Sequence, residues 1–275
     1  MKKIAFLFLT LDNPSFPKIW NSYFRGHVGK YSIYIHPKYP DNLTWKKKHM
    51  ISELKETKWG FITRAYIELL KKAYKDKDNY KFVTISESCI PIKSFDKFYE
   101  DCIGDERSWI KSMKMGPYNY EGRLNLVKTK PRPIHFIKNY ARFCLNRAHC
   151  RLLLLRESEG KIDFFHNMQV GDEYFLSVLY PLKNVLDFAV TYDDWEYIHA
   201  KKREIKEKQR VLTKNCAEWK KLQEEYNFVA KSPKTIVDVR NDNDLEKIKK
   251  CTSYFYRKFS KDSNIEKYWK NIIGC

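Results

Sequence analysis

The sequence predicts an α/β fold with a doubly wound, mostly parallel sheet, in a single domain over residues 1–275. Three observations predict it. Residues 3–11 (KIAFLFLTL) are a continuous apolar run of strand length, the pattern of a strand buried on both faces. Two more β-branched and aromatic runs follow, 31–36 (YSIYIH) and 80–85 (YKFVTI). Segments with helical periodicity separate them, so strand and helix alternate.

The elements follow in chain order. Met1-Lys2-Lys3 and the first run imitate a signal peptide, but Asp12, Asn13 and Pro14 stand where a small-residue cleavage site is needed, so a first strand is expected. Residues 14–24 read as a helix with Ile19, Trp20, Tyr23 and Phe24 on one side, and Gly26 and Gly29 close it. Pro37 stops the second strand. The clearest helix spans 59–74: Ile62, Ala65, Tyr66, Leu69, Leu70 and Ala73 recur at helical spacing, and lysines crowd its C-terminal end. A short helix over 94–102 follows the third strand. Ligands of such sheets bind at the carboxyl ends of the strands, which puts Asp12, His36, Pro37, Ser86, Glu87 and Ser88 beside a site.

Residues 106–133, with Gly116, Pro117, Gly122, Pro131 and Pro133, read as a long loop over that edge. Helices are expected over 135–156 and 172–182, and a late strand over 186–192. Residues 196–231 lack glycine and proline. Ile198, Ile205, Leu212, Trp219 and Tyr226 recur there every seven positions, yet the companion positions of a coiled-coil seam are mostly polar. A helical insertion docking one narrow stripe is expected, with a partner-binding arm as the alternative.

Composition narrows the function. Lys and Arg number 53 against 34 Asp and Glu, a formal net charge of +19, which favours anionic partners such as phosphates, nucleic acid, acidic lipid or sulfated glycan. Hydrophobic residues at 43% exclude a disordered chain, and nine glycines exclude a collagen-like one. No apolar run approaches the roughly 20 residues of a membrane helix. Seven scattered cysteines show no CxxC or Cys/His pattern, so no structural metal is expected and a cytoplasmic or otherwise reducing compartment is.

Three segments carry more specific chemistry: Ser86-Glu87-Ser88-Cys89-Ile90-Pro91-Ile92, Gly171-Asp172-Glu173-Tyr174-Phe175-Leu176, and Tyr256-Arg257-Lys258-Phe259. Together they resemble the core-2/I-branching β-1,6-N-acetylglucosaminyltransferase family (glycosyltransferase family 14), above all its plant and microbial branch. The opening strand–helix–strand, Trp59-Gly60, Phe143 to Arg147 (FCLNR), Thr191 to Trp195 (TYDDW) and the stretch from Ser232-Pro233 to Phe259 resemble the family as well. Only 196–231 falls outside the likeness.

The resemblance implies a GT-A fold, Rossmann-like and mostly parallel. It implies an inverting transfer of a sugar, N-acetylglucosamine or xylose, from a UDP-sugar to a hydroxyl of a glycan or glycoprotein. It also implies that basic side chains replace the usual metal, so no cofactor is expected. Asp242-Asn243-Asp244 has Asp-x-Asp spacing but does not follow a strand, and reads as a polar helix start or loop.

Glu173 matches the family's catalytic base. Asp172 as N-cap would put it in a helix's first turn, where the dipole favours the carboxylate a base needs; a first-turn acid that only complements the dipole is the plainer reading. Arg257 and Lys258 match the phosphate-binding pair, with a solvated basic turn as the alternative. Relatives carry a further arginine near Lys234-Thr235. Lys234 stands there instead, or Arg240 reaches in. Trp195 matches an acceptor-side residue whose ring suits a sugar face, or packs beneath the site. Glu121 and Arg123 are acceptor candidates in the long loop. His36 and Glu87 are donor-side candidates, or structural. Lys138-Asn139 and Cys144 replace the Gly-Ser and the acid that relatives show near Arg147, which changes the expected preference. Two other functions compete: a catalytically inactive glycan-binding relative, and a basic nucleic-acid or polyanion-binding protein. The latter has the charge and the aromatics but no RRM, KH, helix-turn-helix or zinc-finger signature.

Overall fold

A computed structural model describes residues 1–113, 136–181, 183–228 and 233–274. The first apolar run is strand β1 (Lys3–Thr10). Its alternation builds two cores at once: Ile4, Phe6 and Phe8 pack on one face of the sheet, Ala5 and Leu7 on the other. Helix α1 (Pro17–Phe24) starts on a proline and buries Ile19, Trp20, Tyr23 and Phe24 against the first face. Strand β2 (Tyr31–Pro37) returns parallel to β1. Helix α2 (Thr63–Tyr74) covers the second face with Ala65, Tyr66, Leu69, Leu70 and Ala73.

Strand β3 (Asn79–Ser86) pairs parallel with β1 on its other side. The chain then leaves the sheet through Glu87-Ser88-Cys89 into β4 (Ile90–Pro91) and α3 (Phe95–Gly104), whose N-cap Ser94 Oγ accepts from the Lys97 amide at 3.3 Å. Short strands β5 (Ser108–Trp109), β6 (Ser112–Met113), β7 (Lys138–Asn139) and β8 (Cys144–Asn146) follow. Then come α4 (Arg147–Ser158), α5 (Asp163–His166), β9 (Val185–Leu186), β10 (Thr191–Asp193), α6 (Glu196–Arg210), α7 (Ala217–Phe228), α8 (Asp242–Lys250), β11 (Phe255–Arg257) and α9 (Ile265–Ile273).

The main sheet runs β2–β1–β3–β8–β5–β9, with β8 alone antiparallel to its neighbours. A second sheet, β10–β11–β4, has β11 in the middle, parallel to β10 and antiparallel to β4. It packs on the α1 side, where Phe255 stands 5.0 Å ring to ring from Phe98.

Three expectations are corrected. The helix expected over 135–156 begins only at Arg147. Upstream, the Phe143 amide donates to Thr84 Oγ1 at 3.0 Å and its carbonyl accepts from the Thr84 amide at 3.1 Å, so that segment is tied to β3. Asn146 then caps α4 by accepting from the His149 amide at 2.8 Å. The helix expected over 172–182 is two 3₁₀ turns, Gly171–Glu173 and Phe175–Leu179, broken at Tyr174, where φ is −130°. Phe175, Leu176 and Leu179 sit deep in the second core, and tertiary burial overrides the helical pattern. The late strand expected over 186–192 splits: β9 joins the main sheet and β10 the second.

Residues 196–228 fold as a helical pair. Lys201 Nζ lies 3.2 Å from Glu225 and Gln209 Nε2 lies 3.3 Å from Gln223 Oε1, so α6 and α7 run antiparallel. Ile198 and Ile205 are the buried positions of the heptad series. Asp242 opens α8, with Asn241 Oδ1 accepting from the Asp244 amide at 3.0 Å, so the Asp-x-Asp spacing is a polar helix start. None of the helices among the described residues is long and apolar enough to cross a membrane.

Candidate active site

The carboxyl ends of β1 and β3 and the end of β11 converge on the turn Ser86–Cys89. Glu87 ties two of them. Its carboxylate accepts from the Leu11 amide at 2.7 Å and its carbonyl from the Ser15 amide at 2.9 Å. The Ser88 carbonyl accepts from the Phe259 amide at 3.3 Å, one residue past Lys258. Motifs separated by more than 160 residues in the chain are thus joined through the backbone.

The cations stand on the second sheet. Its register sets Arg257 opposite Asp193, and Arg257 Nη1 donates to Asp193 Oδ1 at 2.7 Å. The two side chains are 14% and 9% exposed, while Arg257 Nε has no partner. Burial, then the like charge of Arg142, depresses the pKa of Arg257. Lys258 follows half-buried, its carbonyl accepting from the Ile236 amide at 2.7 Å, and its ammonium makes no hydrogen bond or ion pair among the described residues.

The acids stand on a tight turn. Val170 takes a left-handed conformation, φ +55°, and its amide donates to the Gly60 carbonyl. At Gly171 a Cβ would stand 2.0 Å from the Phe165 carbonyl oxygen and 3.0 Å from Thr63 Oγ1. Only glycine lets the turn lie this close to the start of α2. Asp172 is turned inward, 6% exposed, with Oδ1 unpaired. Burial pushes its carboxyl up to about 6; Arg142 and Arg257 pull against that shift and Glu173 adds to it. Asp172 is therefore buried rather than a cap, and Glu173 sits in a 3₁₀ turn with no α-helix behind it. The expected dipole support is withdrawn. Glu173 instead pairs with Lys138 Nζ at 3.0 Å, both side chains being partly exposed.

Sequence reasoning passed over Arg142, which lies between β7 and β8 on the segment tied to β3. Its charge acts within reach of Tyr66, Asp193, Cys89, Asp172 and Arg257. Burial works against its charge, but Tyr66, Asp193, Cys89 and Asp172 outweigh it and raise its pKa. Asp193 was quoted in a motif yet not singled out, and only the strand register reveals its partner. An arginine set in an otherwise apolar run, YARFC, was the signal for the first; for the second there was none.

The remaining candidates scatter. His36 is fully enclosed, and its Nε2 accepts from the Lys55 amide at 2.9 Å, a structural role. Trp195 is half-buried, its ring 6.4 Å from that of His199 at the start of α6. Lys234 is exposed; its amide donates to the Asp194 carbonyl at 2.8 Å. Lys234 and Arg240 line one cavity of about 380 Å³ with Asp194, Asp244, Lys247 and Tyr256. Glu121 and Arg123 lie outside the described residues. Arg147 braces the end of β3, donating to the carbonyls of Tyr74, Asp76 and Asn79. A roomier hollow of about 670 Å³ lies elsewhere, between α3 and Tyr254; Glu100, Asp101, Asp105 and Glu106 make it acidic and unsuited to a phosphate ligand.

A rice protein (Oryza sativa subsp. japonica) described as Glycosyltransferase BC10 is 28% identical over 130 residues, covering 42% of this chain and 33% of the rice protein. The chain therefore spans about a third of that relative's length. The family model described as Core-2/I-Branching enzyme matches residues 4–226, which takes in β1 through most of α7 and stops before β11. The mostly parallel sheet flanked by helices is consistent with the GT-A-like fold of such enzymes. With four fifths of its length matched, the chain belongs to the Core-2/I-Branching enzyme family.

Proposed function

We propose that the chain is an inverting glycosyltransferase that moves a sugar, N-acetylglucosamine or xylose, from a UDP-sugar to a hydroxyl of a glycan or glycoprotein without a metal. The observation that carries this reading is the meeting of acids and cations around Asp172, whose carboxyl feels Glu173 on one side and Arg142 and Arg257 on the other. A single displacement needs both kinds of group. Glu173 takes the proton of the acceptor hydroxyl as its oxygen bonds to the anomeric carbon. The bond from that carbon to the phosphate oxygen breaks, and Arg257 and Lys258 receive the charge of the departing diphosphate. Lys138 pairs with Glu173 at 3.0 Å and fixes the direction of its carboxylate. Arg257 is pre-set by Asp193, so little reorganisation is needed when the diphosphate leaves.

Thermal shift against UDP, UDP-N-acetylglucosamine, UDP-xylose, GDP-mannose and dTDP, each with EDTA and with manganese, tests the donor site. A rise in Tm with UDP compounds that survives EDTA and is lost in Lys258→Ala is expected. Glu173→Gln should then keep UDP binding while transfer falls about 10²- to 10⁴-fold. No shift with any nucleotide in folded protein overturns the reading. Binding of UDP with no turnover on any acceptor points instead to an inactive glycan-binding relative.

A further inference from the structure

We propose that Cys102 and Cys144 form a latent disulfide, closed by a hydroperoxide, that staples helix α3 to the main sheet. Their sulfurs stand 3.6 Å apart, with both side chains fully buried, and 42 positions separate them in the chain. They are the only two of the six described cysteines that hydrogen-bond to each other. Closing that gap to the roughly 2.05 Å of an S–S bond asks each sulfur to move by about 0.8 Å. Nothing in this inference depends on the glycosyltransferase reading.

Cys102 sits in the last turns of α3, and Cys144 opens β8, where the register sets it against Trp109 of β5. Both belong to the first core, with Phe98 and Trp109. The two thiols are unlike. Burial raises the Cys144 thiol, but the hydrogen bond with Cys102 and then the Lys81 ammonium outweigh it, so its pKa falls below the ordinary value. Burial pushes the Cys102 thiol well up. Cys144 is therefore the nucleophile and Cys102 the resolving thiol. The acidic hollow of about 670 Å³ supplies a route. Asp101, Gly104 and Asp105 line it and flank Cys102, and Trp109, the register partner of Cys144, lines it as well. Solvent thus reaches the residues adjoining both sulfurs while the sulfurs stay closed, which admits a small neutral peroxide and excludes a glutathione-sized disulfide.

The chemistry balances with one hydrogen peroxide. The Cys144 thiolate attacks one peroxide oxygen, the O–O bond breaks, and the other oxygen leaves as hydroxide and takes up the thiol proton as water. The Cys102 sulfur then displaces the hydroxyl of the Cys144 sulfenic acid, and the Cys102 proton departs with it as a second water. Two thiols lose two electrons and one peroxide gains them.

The experiment treats folded wild-type protein with hydrogen peroxide, alkylates the remaining thiols under denaturing conditions and maps the peptides by mass spectrometry. Tm is measured before treatment, after it and after dithiothreitol. A peptide linking 102 to 144 is expected, with Tm raised by about 5 °C or more because the bond closes a long loop in the unfolded chain. Dithiothreitol should reverse both. Cys102→Ala should stop at the Cys144 sulfenic acid, trapped by dimedone, with no rise in Tm. Residues 102 and 144 both still open to alkylation, while the half-buried Cys216 and Cys251 are oxidised, would overturn the proposal. So would a bond from either to another cysteine, or a linked protein with a lower Tm. The peptide map is read on wild-type protein, so it decides even where Cys102→Ala fails to fold.

Discussion

The cations at 257–258 and the acids at 172–173 are held by opposite means. Arg257 ends a strand paired on both sides, and its position follows from sheet register and one buried ion pair. Asp172 and Glu173 ride a turn with no ladder behind it, placed by the absence of a side chain at Gly171 and by contacts to Gly60 and Thr63. The first arrangement is sensitive to charge, the second to volume. A site assembled from both resists drift in either direction, since no single kind of substitution loosens both halves.

The contrast is sharpest at Asp193. Asp193→Ala strands the Arg257 guanidinium in a nearly closed position and is expected to cost about 3 to 5 kcal/mol, read by urea titration. Asp193→Asn, which still accepts a hydrogen bond, should cost clearly less. Equal losses would mean that register, not charge, sets Arg257. Next comes Gly171→Ala. A methyl 2.0 Å from a backbone carbonyl must displace the turn, so a loss of about 3 kcal/mol is expected, with transfer falling further than UDP affinity because Glu173 moves and Arg257 does not. Proportional loss of both would break the division.

The smallest effect is a pH dependence. Asp172 titrates at about 6 in the folded chain against roughly 3.9 unfolded. Between those values the folded state binds more protons, so the favourable contribution is whole below pH ~4 and is lost as pH rises through about 6. Asp172→Asn removes that slope, and its stability relative to wild type should climb by up to about 3 kcal/mol from pH 4 to pH 7. A flat difference would mean that Asp172 is ionised throughout.

What could be read from the residues alone follows the same division. Strands β1, β2 and β3 were legible because apolar runs buried on both faces have few other readings, and α2 because its periodicity is clean. Arg257, Lys258 and Glu173 were named through resemblance. The turn at 171–173 was not legible: FLSVL suits a helix and a 3₁₀ segment alike, and the choice rests on packing against Phe165 and Thr63, over 100 residues away in the case of Thr63. Lys138 and Arg142 were hidden for a related reason. A segment read as helical sends residues four apart to one face, whereas here an extended chain brings Lys138 to Glu173 and sets Arg142 within electrostatic reach of Asp172.

The place of β11 in the second sheet also bears on synthesis. The ribosome delivers β4 early and β10 a hundred residues later, but the strand that belongs between them only after that. A nascent chain that has not yet released residue 257 holds two strands with unpaired edges facing a gap, the kind of edge that recruits foreign strands. Acidic and cationic halves come together only when that gap is filled, so a chain interrupted before β11 carries Glu173 without Arg257 and Lys258, and two open edges for chaperones to recognise.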